Sequence, residues 1–532
     1  MSHKQVFKGA LLLTIAGILG KVLSAGYRVP LQNVTGDTGF YIYQQVYPFI
    51  TVAWMMSIYG YPAAISKFLI ETKERHQSSD QVTMHIPIFI FLFILNGIVF
   101  FILYAGAKPI AIWMGDSQLE VPIQFASVLY LFIPFTSFLR GSFQSVEDMR
   151  PTAISQTGEQ VVRISLIIFF TYTLLQEGKN LYDIGSSAAL SSSIAAFIAF
   201  VILAVSFLFF YERHQIHFSM KMISIRKMIK ALFEISLVVG LNYMLLILLQ
   251  LVDVFTMIPG LQDFGLALDE AKVEKGIYDR GQPLVQLGVV FGSSLSLALI
   301  PAISKIKAGG TKKIEEQSLK KALKLTLFFS TAATTGMIMI FPSVNILLFK
   351  TNAGTETLRI FMLMILLVSI TLTLSTFLQG LGFVKRQALL FGMAVGIKGL
   401  LNIVLIPHLG IKGAALASVV SVLLLVAGFA FMLRRYITIS YQAVVPWKSF
   451  GFALAVMVII VMIAEQLFIN GEIHHRLDVL GFIFVSCSLG AVTYFAALIW
   501  SGGFTREELL LLPYGERLIQ WMVRRRRSWK KS

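Results

Sequence analysis

Charge is what this chain has least of. Only 14% of its 532 residues are Asp, Glu, Lys or Arg, against about a quarter in soluble domains, which leaves too little water-facing material for a soluble fold of this length. Acid is scarcer than base, 28 residues against 45, and the formal net charge is +17. The basic residues fall at the ends of apolar runs and build no basic domain, so nucleic acid is excluded as a partner and the excess reads as a topology signal. Cysteine occurs once, at Cys487, which rules out an intrachain disulfide framework and a cysteine metal site. No G-x-x-x-x-G-K-S/T stretch occurs, so ATP is not bound through a Walker-type loop, and no cofactor is expected. No cleavable signal pattern is recognisable either, because the apolar run from Phe7 continues into a span.

What is abundant is apolar sequence: 56% of the residues, with a mean hydropathy of +0.76. A helix needs about 20 such residues to cross a bilayer, and roughly fourteen runs are long enough, so the expected fold class is an all-α membrane protein of about fourteen transmembrane helices. The first two spans are expected near 8–28 and 41–68, the fifth near 152–175, the seventh and eighth near 230–257 and 277–304, and the eleventh near 388–407. An even count places both termini on one side. With the termini cytoplasmic, the segments rich in Lys and Arg all fall inside and the acidic loop from Pro259 to Gly276 falls outside. The expected location is therefore a plasma membrane, crossed many times. The stretch 503–532 ends in Arg524 to Arg527, Lys530 and Lys531. It reads as an amphipathic basic tail for anionic inner-leaflet lipids, or equally as a plain topology signal.

The chain also repeats itself. Ala64-Ile65-Ser66-Lys67 matches Ala302-Ile303-Ser304-Lys305, and Phe138-Leu139-Arg140-Gly141 matches Phe377-Leu378-Gln379-Gly380. Ala188-Ala189-Leu190 likewise matches Ala414-Ala415-Leu416, in the same order and at a similar offset. Span n thus matches span n+6, which implies two parallel lobes of about six helices, 1–210 and 230–434, then a helix pair at 447–500 and the tail.

The stretch from Asn402 to Ser418, NIVLIPHLGIKGAALAS, resembles the N-x-x-L-I-P-x-x-G-I-x-G-A-A-x-A segment of the polysaccharide-transporter branch of the multidrug/oligosaccharidyl-lipid/polysaccharide flippase superfamily. Gly20 to Leu23, Tyr27-Arg28 and Gly39 to Tyr41 are similar to the same branch. Within it, the chain most resembles the stage V sporulation protein B group. The resemblance implies a two-lobed flippase-like or MATE-like fold. It also implies transport, not catalysis, of an undecaprenyl-diphosphate-linked saccharide, a polysaccharide or peptidoglycan precursor, from the inner to the outer leaflet.

Ionisable groups inside spans are costly, so each is a candidate for function. Lys21, Ser24 and Arg28 share one face of the first helix at i, i+3 and i+7 and could offer cations to a pyrophosphate. Arg28 could instead snorkel to the outer interface. Glu159 and Arg163, at i, i+4 with the acid first, form either a lock or a substrate contact. Asp253, Arg280 and the pair Lys398 and Asn402 complete the set of cavity candidates. The leading function is an alternating-access flippase for a lipid-linked saccharide, with a coupling ion, H⁺ or Na⁺, as a further partner. A drug antiporter of the same fold would need an acidic cavity, whereas the deep charges here are mostly basic. A membrane glycosyltransferase or polymerase would need catalytic acids or histidines in external loops that are short, and a non-transporting scaffold stays open.

Overall fold

The computed structural model describes residues 17, 19–20, 22–73, 81–211, 215–219, 225–298, 312–436, 445–469, 476–505 and 508–509. The fold is all-α except for one short sheet. In chain order the helices are α1 (Arg28–Met55), α2 (Tyr61–Lys73), α3 (Ile86–Ala105), α4 (Ala107–Trp113), α5 (Glu120–Ser127), α6 (Ile133–Ser145), α7 (Arg150–Gln176), α8 (Leu181–Tyr211) and α9 (Ile225–Asp263). They continue as α10 (Leu268–Asp279), α11 (Gly281–Ala298), α12 (Lys312–Phe349), α13 (Thr355–Phe361), α14 (Leu363–Gly380), α15 (Val384–Leu409), α16 (Ile411–Arg434), α17 (Trp447–Ile469) and α18 (Arg476–Trp500). Strands β1 (Gln81–His85) and β2 (Gln215–Ser219) pair in parallel, an element absent from the sequence-based expectation.

Among the described residues, twelve helical runs are long and apolar enough to cross a membrane. Two expected spans do not count separately. The end of the first is merged with the second in the run Val22–Glu71, and α11 stops where the described residues stop. The runs bear large apolar side chains on their outer faces, such as Ile94, Phe101, Phe169, Leu400, Leu467 and Phe484. In water such faces would be an aggregation hazard, whereas in a bilayer they meet lipid.

The chain divides into two compact units. The first comprises Met1–Val290, Glu356–Met364 and Gly382–Leu425, and the second Phe291–Thr355, Ile365–Leu381 and Val426–Ser532. In the second unit α12 packs on α17 and α18, Tyr494 donates to the Phe328 carbonyl at 3.0 Å, and Lys324 meets Glu508 at 2.7 Å. Beyond Glu508 and Leu509, the rest of the expected basic tail lies outside the described residues.

Two breaks in the helices of the first unit stand beside polar residues. Gly36 (φ 70°) interrupts α1, in a left-handed conformation that a residue with a Cβ adopts only at a cost. A π-helical turn, Met56–Gly60, separates α1 from α2 and presents the Ser57 carbonyl and hydroxyl sideways. α15 runs through Pro407 to Leu409 and ends on Gly410, at φ 57°. Close packing is also set by glycine: a Cβ on Gly276 of α10 would overlap the Asp37 carbonyl oxygen. Because the obstacle is backbone, Gly276→Ala should lower stability by about 1–3 kcal/mol. Thermal unfolding of the purified chain in detergent reads this, and an unchanged midpoint would show that the two segments are free to separate.

Candidate functional site: three buried polar clusters

The first cluster is built by α1, α6, α7 and the π turn. Arg28 is fully buried. Its Nη2 donates to Ser24 Oγ at 3.3 Å, and its guanidinium lies over the Tyr47 ring, 4.0 Å from the centroid. Tyr27 and Tyr43, whose hydroxyls are hydrogen-bonded to each other, pack beside it. Arg28 Nε and Nη1 have no partner among the described residues. On α7, Glu159 accepts from Arg163 on one oxygen and from Arg140 on the other, both at 2.9 Å. Arg140 also donates to Ser57 Oγ at 2.9 Å and Ser155 Oγ at 3.3 Å. Arg163 reaches over Trp54, 5.2 Å from the ring centroid, and its Nε is unpartnered.

Three guanidinium groups thus stand against one carboxylate. Gln44, Gln156 and Gln160 add buried amide atoms without partners. Lys21 lies outside the described residues. Its neighbour Gly20 lies beside Gln160, whose Cγ an added Cβ would meet at 3.6 Å, so the first span approaches this cluster.

The second cluster lies around α10. Arg280 grips Asp37 with two nitrogens, at 2.9 and 2.5 Å, and Gln32 donates to the same carboxylate at 2.9 Å. The side chain of Arg280 is 1% exposed and that of Asp37 17%. The expectation that Arg280 offers a cation to a shared cavity therefore meets a bidentate acidic partner here. Asp116 is held similarly: Tyr182 donates to it at 2.6 Å, Tyr41 at 3.1 Å, and Lys272 approaches to 3.7 Å. Burial pushes the Glu274 carboxyl up, and the Asp37 charge adds to that while Arg280 opposes it.

The third cluster joins α9, α10, α15 and α16. Lys398 Nζ donates to Asp253 Oδ2 at 2.6 Å and to the Leu249 carbonyl at 2.8 Å. Asn402 donates to Asp253 Oδ1 at 2.9 Å and is 2.8 Å from Thr256 Oγ1. Tyr278 bridges Asp253, at 3.5 Å, to Ser418, at 3.1 Å. The structure thus unites Asp253, Lys398 and Asn402 in one neutral network, and unites Ser24 with Arg28 and Glu159 with Arg163. Arg140, Asp37, Asp116 and Lys272 are additions that sequence reasoning passed over. Arg140 was visible only as part of a repeat, and Asp37 carried no signal in the sequence.

Residues 6–307, more than half of the chain, match the family described as "Polysaccharide biosynthesis protein". The chain belongs to that family. It is 36% identical to the uncharacterized membrane protein YabM of Bacillus subtilis (strain 168), over 98% of both chains. Lipid II flippase MurJ of the same organism is 25% identical over 84% of this chain and 85% of its own. Stage V sporulation protein B, also from that organism, is 25% identical over 98% and 100%. The solved structure of lipid II flippase MurJ in an inward closed conformation has the same fold, with a TM-score of 0.67 at 14% identity, covering 92% of this chain and 98% of that one. Membership of the flippase superfamily, implied by the resemblance, and the all-α membrane fold, read from the hydropathy, are thereby established.

Proposed function

We propose that the chain is a flippase that moves an undecaprenyl-diphosphate-linked saccharide from the inner to the outer leaflet. The observation that carries this is Arg28, a fully buried guanidinium with two unpartnered nitrogens and no ion pair to a carboxylate among the described residues. An uncompensated cation in a low-dielectric interior is costly unless an anion joins it. A diphosphate has the charge and the oxygen geometry to accept from Nε and Nη1 together. The neighbouring trio of Arg140, Glu159 and Arg163 retains a positive excess, and the tyrosines and glutamines suit a sugar's hydroxyl groups. A relative that is named a lipid II flippase supports the same reading.

In this mechanism the prenyl tail stays in the bilayer while the head group crosses between two lobes, 1–210 and 230–434, which rock about it. No bond is made or broken, so no catalytic residue is required. The test is reconstitution into vesicles with a fluorescent undecaprenyl-diphosphate-linked saccharide, with quenching of the outer leaflet by a membrane-impermeant reductant. Protein-dependent exchange of that lipid, and none of a cationic dye, is expected. The reverse result would favour the antiporter reading.

The proposed orientation, termini inside, has its own test. In a Cys487→Ser background, a cysteine at Ser117 should be labelled by an impermeant maleimide in intact cells, and one at Gly310 only after lysis. The opposite pattern would reverse the direction of transport.

A further inference from the structure

The first and third clusters differ in charge balance. Where Arg28 has no acid, the third cluster is matched: Asp253 pairs with Lys398, and Lys275 pairs with Asp279 at 2.5 Å, both members of the latter fully buried. Tyr278 lies between the two pairs. Among the described residues, these are the titratable and charged groups that face Lys398 from the elements packed on it. The contacts of Lys398 Nζ are with a carboxylate oxygen and a helix carbonyl, the hard oxygen ligands that monovalent coupling cations take in transporters. Two further buried oxygens have no partner among the described residues: Asn402 Oδ1, and Oε1 of Gln250, three residues before Asp253 on α9. Substrate binding is a poor use for such a site, because its charge is already balanced. Structural pairing alone leaves the surplus oxygens unexplained.

We propose that the Lys398 ammonium is a tethered cation in an oxygen-lined monovalent-cation site formed by α9, α10 and α15. The site takes no free sodium ion while the lysine is in place. A cation fixed by a covalent stem cannot exchange with either side of the membrane, so a sodium gradient does no work at this site. Taking away the lysine leaves two carboxylates against one ammonium in a buried place, and the missing charge must then be supplied from solution. This inference does not depend on the identity of the cargo.

The test is thermal unfolding of the purified full-length chain in detergent, with NaCl or choline chloride on the order of 100 mM. The wild-type midpoint should be the same in both salts. Lys398→Ala should unfold at a lower temperature in choline and regain several degrees in sodium. Combining it with Asp253→Asn should abolish that response, because the charge deficit is gone. Sodium stabilisation of the wild type to the same extent as the variant would overturn the proposal, as would a Lys398→Ala protein indifferent to sodium. If Lys398→Ala folds in neither salt, Lys398→Ser, which supplies an oxygen, is read in the same way. The wild-type measurement alone can still overturn the proposal.

Discussion

Arg28→Gln should slow transbilayer movement of a diphosphate-linked saccharide by about a hundredfold while the protein accumulates normally in the membrane. Two unpartnered nitrogens, Nε and Nη1, are available to the anion, and a hydrogen bond to a charged group is worth about 1.5 kcal/mol or more. Two of them give about 3 kcal/mol, or two decades in rate or affinity. Arg28→Lys should keep part of the activity, since it restores charge but not the paired donors. Stability should move the other way. Removing a buried cation that lacks an acidic partner relieves a cost in the empty protein, so Arg28→Gln should unfold at an equal or higher temperature. A variant that is less active because it is less stable would not behave so. Full transport by Arg28→Gln would sink the assignment of this residue to the cargo and leave the family membership untouched.

Glu159→Gln is expected to give the largest loss of stability. Glu159 separates two buried guanidinium groups, each at 2.9 Å, and its removal leaves both cations without an acid. Breaking a buried pair from one side costs about 3–5 kcal/mol, enough to reduce membrane levels and to lower the unfolding temperature in detergent. Combining Glu159→Leu with Arg140→Met and Arg163→Leu should recover most of that loss, because the charges leave together. The triple variant also separates two roles. If it is stable and still moves lipid, the trio is a lock between α6 and α7. If it is stable and inactive, Arg140 and Arg163 serve the cargo.

What is local was legible in the amino-acid sequence. Hydropathy determined that the chain crosses a membrane many times, because each span must satisfy its own backbone hydrogen bonds and therefore reads as one uninterrupted apolar run. The NIVLIPHLGIKGAALAS motif pointed to the family, and its Gly410 caps α15. The Glu159–Arg163 pair was readable because i, i+4 neighbours meet on any helix. The long-range partners were not. Arg280 and Asp37 are 243 residues apart, and Lys398 and Asp253 are 145 apart, so no periodicity links them. Only the packing of α10 and α15 against other helices brings each cation to its acid. That packing also decided which buried cations are spent on internal acids and that Arg28 meets no acid among the described residues. The sequence shows how many charges lie in the membrane, but their pairing depends on distances of a few ångströms between helices far apart in the chain.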